Sequence, residues 1–325
     1  MPLENSSPWR RLRAIDEIGV IVALLSVCAL LWLIAGEQFA QPTNLLQVAR
    51  QASSYGIMAV GMVLVLAMGE IDLSVGAILT LVNVVAAAAL REGIPMPLAV
   101  LIGLGTGGIC GLVNGLLGVL LRIPTIIVTL GTMSVFRGLA LVLSKATPIG
   151  NFPKDNALFD LGSASLLGAP TSVLVMIAVG LAGHVLLNHT VFGWRVQAIG
   201  SNAQAARFSG ISLARYRVAA MTMMGLIAGI AGIMELAFLQ AGSPTTGQGY
   251  ELYVIAAAII GGTAIAGGSG SIAGGIMGAL LIAVIRNGLV LLGFNAYWGT
   301  VVTGAVIIAA VAIGGVVKKN VNQNP

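Results

Sequence analysis

Three carboxylates lie in or beside long apolar stretches of the sequence, where an ionisable side chain is costly and usually marks a function or a specific partner. They are Glu70, Asp72 and Glu235. Glu70 and Asp72 flank a break between two apolar runs, and Ser74 follows at the start of the second run. A carboxylate at a helix start is stabilised by the helix dipole, which gives Asp72 a structural explanation. The alternative is a gate or a contact with a partner protein.

Two arginines lie in the same half of their apolar runs as Glu235. Either Arg137 or Arg286 could pair with Glu235 and neutralise it, which would lock the helix bundle internally. A further possibility is that Glu235 accepts hydroxyl groups of a sugar-like solute, because carboxylates and amides are the usual partners of polyols. Both interpretations stay open from the sequence.

Uncharged amides form a second set of polar groups at or near membrane depth, and each could join two helices by a hydrogen bond. They are Asn83, Asn114, Gln240 and Asn287. A pathway lined by amides would equally suit a neutral polar solute. If a separate receptor supplies the affinity, the pathway needs only weak contacts, so we expect no strong binding site in this chain.

Motifs for catalysis, nucleotide binding and metal binding are absent from the sequence. It contains no G-x-x-x-x-G-K-[ST] loop, no G-x-S-x-G and no H-E-x-x-H. His184 and His189 have no carboxylate or cysteine nearby in sequence, so we predict no metal site there. We therefore predict that the chain has no catalytic residue and binds no cofactor, and that a partner uses any ATP and Mg²⁺.

The elements that position these residues are apolar helices. The 325 residues are 58% hydrophobic and 8% charged, with a mean hydropathy of +1.00, whereas soluble domains carry about 25% charged residues. The apolar runs are long and unbroken, which indicates helices and excludes the alternating strands of a membrane barrel. We predict an all-α polytopic membrane protein with about ten transmembrane helices, the second and eighth being short and either tilted or broken. The predicted spans are Ile18–Gly36, Ser53–Met68, Ile71–Leu90, Pro97–Leu121, Thr125–Leu143, Thr171–Leu187, Val218–Leu239, Leu252–Ala266, Ile272–Leu292 and Tyr297–Val317.

Lysine and arginine predict the orientation. With a cytoplasmic N-terminus, most basic residues fall on the cytoplasmic side, as the positive-inside rule requires. The chain then divides into a cytoplasmic segment 1–17, one transmembrane domain 18–317 that includes a cytoplasmic loop 188–217, and a cytoplasmic tail 318–325. A cleaved signal peptide is the weaker alternative for the first run, because Asp16 and Glu17 interrupt its basic flank and no small-x-small cleavage site follows.

Glycine, which occurs 44 times, predicts close helix contacts. Small-x-x-x-small spacings occur at Gly107, Gly111 and Gly115, and again at Gly270, Gly274 and Gly278. These two glycine-rich stretches could mark corresponding positions in two halves of five helices each. Because five is an odd number of spans, the second half would be inverted in the membrane relative to the first.

The loop His189–Arg217 carries four arginines and no acid. Its middle has the signals of one short helix, with Ser201 or Asn202 as N-cap, Ala203–Ser209 as body and Gly210 after its end. Such a helix between two spans could insert into a groove on a partner protein as a coupling element. The alternative is a basic loop that only fixes topology.

Several motifs resemble those of the ribose and related sugar permeases of ABC transporters, a family related to branched-chain amino acid permeases and to autoinducer-2 importer permeases. The loop matches a recurring G-x-N-x-x-A-A-R-x-S-G-I pattern at Gly200–Ile211. The other matches, in chain order, are M-A-V-G-M-V-L-V-L at Met58–Leu66, G-E-I-D-L-S-V-G at Gly69–Gly76, T-L-G-T-M-S-V-F-R-G at Thr129–Gly138, T-G-x-G-Y-E-L at Thr246–Leu252 and G-G-T-A-I-A-G-G-S-G-S-I-x-G at Gly261–Gly274.

The resemblance implies a multi-pass permease in a bacterial inner membrane, working with a second permease copy or paralogue. Its other implied partners are two cytoplasmic ABC ATPase subunits, an extracytoplasmic sugar-binding protein and membrane lipid, with no nucleic acid. It also implies that the loop docks on the ATPase through Asn202, Ala205, Ala206, Arg207, Ser209 and Gly210.

One residue departs from the resemblance, and one rival function remains. Glu70 stands where the family would have a neutral residue or asparagine, which weakens any transfer of sugar preference from one relative.

The rival function is a secondary transporter driven by a proton or sodium gradient through Glu70, Asp72 and Glu235, although all three lie near predicted span ends.

Overall fold

The computed structural model describes residues 17–152, 157–166, 168–295, 297–305 and 308, and these residues fold almost entirely as helices. The predicted tail 318–325 and all of the segment 1–17 except Glu17 lie outside the described residues. The helices are α1 Ile18–Ala35, α2 Glu37–Ala40, α3 Pro42–Ala67, α4 Val75–Arg91, α5 Met96–Leu120, α6 Thr125–Ser144, α7 Ala157–Ser163, α8 Thr171–Asn188, α9 Val191–Ser201, α10 Ala203–Phe208, α11 Leu213–Leu239, α12 Tyr250–Ile260 and α13 Ile272–Leu291. Two strands, β1 Ser165–Leu166 and β2 Ala169–Pro170, pair antiparallel before α8. Residues 298–305 are also helical.

Seven of the helices are long and apolar enough to cross a membrane: α1, α3, α5, α6, α8, α11 and α13. Two shorter apolar helices, α4 and α12, accompany them. The described part of the chain is thus an all-helical bundle of membrane-spanning character.

Helix α3 forms the centre of the bundle. Residues 52–68 are all buried, and α8, α11, α12 and α13 pack around them. A helix that is apolar on every side needs such an enclosed position. The prediction that this span is short was wrong, because α3 has 26 residues and begins at Pro42. The hydropathy pattern missed its first half, whose polar residues line a cavity described below.

The predicted eighth span, Leu252–Ala266, contains a helix that ends at Ile260. Helix α12 has 11 residues, about 16 Å at 1.5 Å per residue, which is roughly half of a hydrocarbon core. The irregular stretch 261–271 continues the path, and its Thr263 side chain is buried. Protein encloses this stretch only in part, because Gly262, Ile265, Ala266 and Ser269 are exposed.

Both predicted glycine seams form helix contacts. Gly107, Gly111 and Gly115 of α5 lie against α11, and a Cβ at Gly111 would collide with the carbonyl oxygen of Met221. Along α13, a Cβ at Gly274 would collide with the carbonyl oxygen of Gly261. These positions need glycine because two backbones approach one another directly.

We expect Gly111→Ala to destabilise the protein by about 1–3 kcal/mol, because the added methyl group must force α5 and α11 apart. The measurement is the apparent melting temperature of the purified protein in detergent. Gly105→Ala is the matched control, since it lies on the same helix with no atom within 4 Å of an added Cβ. Equal melting temperatures for the two variants would contradict the seam.

The bundle has two ends with different contents. The connecting end carries α9, α10, the α3–α4 connection and the stretch 261–271, where the Gly268 N–H donates to the Ala67 carbonyl at 2.8 Å. The opposite end carries α7, β1, β2 and the stretch 241–249, where Ile149 and Gly242 form a β-bridge.

Candidate functional site

The predicted short helix in the loop is present as α10. The Asn202 side chain accepts a hydrogen bond from the Ala205 N–H at 2.9 Å, which satisfies a free donor in the first turn. Gly210 follows the helix with a φ of +79°, the left-handed conformation that favours glycine. The expected N-cap and C-terminal glycine are therefore confirmed. The sequence did not predict the preceding helix α9, whose N-cap is Thr190.

Helix α10 presents one apolar and one charged side chain outward. The Phe208 side chain is 81% exposed and Arg207 beside it is also exposed, whereas Ala206 faces the bundle and is 5% exposed. On α9, Trp194 is exposed as well. We call the exposed side chains of Trp194, Arg207 and Phe208 the connecting-helix surface. Sequence reasoning selected Arg207 but missed Phe208, because exposure of a single phenylalanine has no signal in the sequence.

An ion pair joins the α3–α4 connection to α11 near this surface. The Arg217 Nη2 atom lies 2.5 Å from Glu70 Oε1, and Arg217 Nε donates to the same oxygen at 2.7 Å. Both side chains are less than a third exposed. Glu70, the acid that departs from the family pattern, is therefore neutralised by Arg217, which lies 147 positions later in the chain.

We expect Glu70→Gln to lower stability by about 1–3 kcal/mol, since it leaves the Arg217 charge partly buried without a counter-charge. A double-mutant cycle of Glu70→Gln and Arg217→Gln, followed by thermal denaturation, measures the coupling. The pair Arg91 and Glu92 is the matched control, because it is more exposed, has a 3.6 Å separation and should show little coupling. Additive losses at Glu70 and Arg217 would contradict the prediction.

Asp72, Ser74 and Asn114 belong to one buried hydrogen-bond network at the same end. Asp72 Oδ1 accepts from the Ser74 N–H at 2.7 Å and from its hydroxyl at 2.6 Å. Asn114 Nδ2 donates to the Ser74 hydroxyl at 2.8 Å, and the Thr132 hydroxyl donates to Asn114 Oδ1 at 2.6 Å. Asp72 Oδ2 is buried without a hydrogen-bond partner among the described residues. The network ties the start of α4 to α5 and α6.

A cavity of about 440 Å³ opens at the opposite end of the bundle. The first half of α3, the last turns of α11 and α13, and the start of α12 form its wall. The polar groups on this wall include Arg50, Ser54, Glu235, Tyr250, Arg286 and Asn287. Of these, the sequence pointed only to Glu235, Arg286 and Asn287.

Glu235 makes no ion pair within 4.0 Å among the described residues, so the predicted lock is not formed. Its Oε1 atom accepts from the Ser54 hydroxyl at 2.9 Å and from the Tyr250 hydroxyl at 3.5 Å. Arg286 instead donates to the Tyr55 hydroxyl at 2.8 Å and lies over the Tyr253 ring at 4.2 Å. Glu235 and Arg286 therefore each contact tyrosine side chains and do not pair with one another.

Two of the three remaining amides, Asn287 and Asn83, have structural partners. Asn287 and Asn44 exchange two hydrogen bonds at 2.7 and 3.2 Å, which joins α13 to α3. Asn83 is fully buried and accepts from the Ser243 N–H at 2.8 Å. Gln240 is exposed at the end of α11 with a φ of +50°, so it does not line this cavity.

Arg137 lies outside the cavity, on α6. Its Nη2 atom is buried without a partner among the described residues, and so is Oε2 of Glu251 on α12. The described ranges contain no group of three His, Cys, Asp or Glu residues that could hold a metal ion. The His184 and His189 rings are tilted by 56° to one another, with their centroids 5.6 Å apart.

Known proteins resemble the chain over most of its length. A family model described as "Branched-chain amino acid transport system / permease component" matches residues 44–311. The ribose import permease RbsC of Bacillus subtilis (strain 168) is 38% identical over 92% of this chain and 92% of its own. The D-allose transport system permease AlsC of Escherichia coli (strain K12) is 36% identical over 94% and 93%. The L-arabinose ABC transporter permease AraH of Azospirillum brasilense is 33% identical over 91% and 87%.

No solved structure matches the chain significantly. The relatives are named as sugar permeases, which does not favour an ion-gradient-driven transporter. Their names agree with the family that the motifs in the loop and around Asp72 resemble. The chain belongs to the transport-system permease family that contains the ribose, D-allose and L-arabinose permeases.

Proposed function

We propose that this chain is the membrane permease subunit of an ATP-binding-cassette importer for a monosaccharide or a similar small polar solute. The observation that carries the proposal is α10, a capped helix between two long apolar helices that holds Arg207 and Phe208 exposed. A partner ATPase uses ATP and Mg²⁺ and docks on the connecting-helix surface. The identities of 33–38% to sugar permeases support the class of solute.

The proposed arrangement places the connecting end in the cytoplasm and both termini on that side of a bacterial inner membrane. The seven long helices, α4, α12 with the stretch that follows it, and the segment that begins at residue 298 make ten crossings. These divide into two five-helix halves of inverted topology. The segment 1–17, the domain 18–317 with its loop 188–217, and the tail 318–325 keep the roles that the basic residues predict.

The partners follow from this arrangement. A second copy or a paralogue completes the transport pathway, and an extracytoplasmic sugar-binding protein delivers solute to the opposite end. Asn202, Ala205, Ala206, Ser209 and Gly210 build and cap the helix that carries the docking side chains. Membrane lipid covers the exposed apolar faces of α1 and α6.

The test is uptake by proteoliposomes that contain the permease, its ATPase subunits and the binding protein. We expect uptake of radiolabelled D-ribose, D-allose or L-arabinose that requires ATP and persists after proton and sodium gradients are collapsed. Uptake that continues without the ATPase subunits and stops with the gradients would contradict the proposal.

A further inference from the structure

The cavity at the opposite end is built by one chain alone. Its volume of about 440 Å³ lies within the range of about 300–1,000 Å³ that small-molecule sites occupy. Such sites combine apolar walls with a few placed polar groups. Met234, Phe238 and Val290 supply apolar wall here, between the polar residues of α3 and α11.

Arg50 is the first group on this wall with hydrogen-bond donors that have no partner among the described residues. Its guanidinium lies over the Phe238 ring at 4.9 Å, and its Nε atom is buried without a hydrogen bond among the described residues. No ion pair of Arg50 is formed within the described chain either. A guanidinium at this depth requires acceptors, because its desolvation is otherwise uncompensated. The Ser172 hydroxyl, also on the wall, is likewise buried and unpaired among the described residues.

Glu235 offers the complementary group. Its Oε1 atom receives both hydrogen bonds, from Ser54 and Tyr250, and Oε2 receives none from the described residues. The wall therefore presents unused donors at Arg50 and an unused acceptor at Glu235. A ligand that both accepts and donates hydrogen bonds satisfies the two together.

Contacts within the chain fix other side chains at and behind the wall. Tyr55 and Tyr250 meet edge to face with ring centroids 4.9 Å apart, and Arg286 is fixed by the Tyr55 hydroxyl and the Tyr253 ring. The mutual Asn44–Asn287 bonds close the α3–α13 side. Because these contacts are complete without a ligand, the cavity is preformed and its occupancy need not reorder the bundle.

We propose that this cavity is a monosaccharide site inside each permease protomer, in which Arg50 donates to ring hydroxyls and Glu235 accepts from them. A polyol fits the paired donor and acceptor, whereas the Glu235 carboxylate opposes an anion. The site lies at the end where solute arrives under the proposed function, on which this inference rests. A small number of polar contacts makes it a weak, transient site that a sugar occupies after delivery.

The test is protection of a cysteine placed in the wall. Gln51→Cys is made in a Cys28→Ser, Cys110→Ala background, and the permease is assembled with its ATPase subunits in nanodiscs. D-ribose at twice its dissociation constant should slow the reaction with a membrane-impermeant thiosulfonate about threefold, as one-site occupancy requires. D-allose and L-arabinose are tested in parallel. Gln47→Cys, also on the wall, is the second reporter should Gln51→Cys fail to assemble.

Three controls make the result specific. Glu92→Cys, 72% exposed at the same end and outside the cavity, should show no protection. Adding Arg50→Met to the reporter should abolish protection, and the melting temperature of this variant is measured in parallel because the change also removes the contact of Arg50 with the Phe238 ring. Adding Arg91→Met should leave protection unchanged.

Equal labelling rates with and without all three sugars would overturn the site, as would protection that survives Arg50→Met. Either result can coincide with ATP-driven uptake by the complete importer, in which case the proposed function stands and this inference alone fails. Absence of ATP-driven uptake would instead reject the proposed function.

Discussion

Phe208→Ala is expected to weaken ATPase binding by about 2 kcal/mol, or roughly thirtyfold, and to abolish most ATP-driven uptake. The side chain is 81% exposed on a helix whose start is capped by Asn202 and whose end is fixed at Gly210. An aromatic ring held this far into water gains most by filling a pocket on a partner. The measurements are ATPase affinity by biolayer interferometry and uptake by proteoliposomes.

The control for this variant is Phe294→Ala, which removes a 48% exposed phenylalanine after the end of α13, away from the connecting-helix surface. It should leave ATPase binding unchanged. Arg207→Glu tests the charged neighbour and should also reduce binding, with a loss that shrinks at high salt if the partner surface is acidic. Full ATPase binding and full uptake by both Phe208→Ala and Arg207→Glu would rule out α10 as the docking element.

The parts of the fold that the sequence predicted depend on local signals. The α10 caps need only Asn202 at one end of a short run and Gly210 at the other, so the sequence predicted Gly210 and narrowed the N-cap to Ser201 or Asn202. The same holds for the glycine spacing of α5, since residues four apart share one helix face. Helices α5, α6, α8 and α13 were predicted to within two residues at each end for the same reason.

The parts that the sequence missed depend on partners distant in the chain. The start of α3 contains Asn44, Arg50 and Ser54, so a hydropathy scan placed the start of the span eleven residues too late. Asn44 and Ser54 are tolerated there because Asn287 on α13 and Glu235 on α11 bond to them. The Glu70–Arg217 pair was likewise not predicted, because the sequence suggests no partner for Glu70.

The connecting-helix surface and the long helices of the bundle are joined by direct packing. A Cβ at Gly200, near the end of α9, would collide with the carbonyl oxygen of Ala67, and Gly268 also lies against it. The Glu70–Arg217 pair adds a second link between the α3–α4 connection and α11. Under the proposed function, we expect a displacement of α9 and α10 by an ATPase to move the ends of α3 and α11, because close-packed elements transmit shifts rather than absorb them.

The buried network beside these links is the second place where one substitution should have a large effect. Asn114→Ala removes the donor to Ser74 and the acceptor of Thr132 at a position with no solvent exposure. Unpaired buried polar groups cost about 1–3 kcal/mol each, so we expect a loss of that order and a fall of several degrees in apparent melting temperature.

Thr106→Val on the same helix is the matched control for Asn114→Ala, because the Thr106 hydroxyl donates only to the Ile102 carbonyl of its own helix, at 2.9 Å. It should change the melting temperature little. Asn114→Ala should in addition slow uptake at unchanged ATPase affinity, since the start of α4 loses its tie to α5 and α6 while α10 stays intact. Equal stability of the two variants would show that Asp72 and Ser74 hold the start of α4 without help from α5.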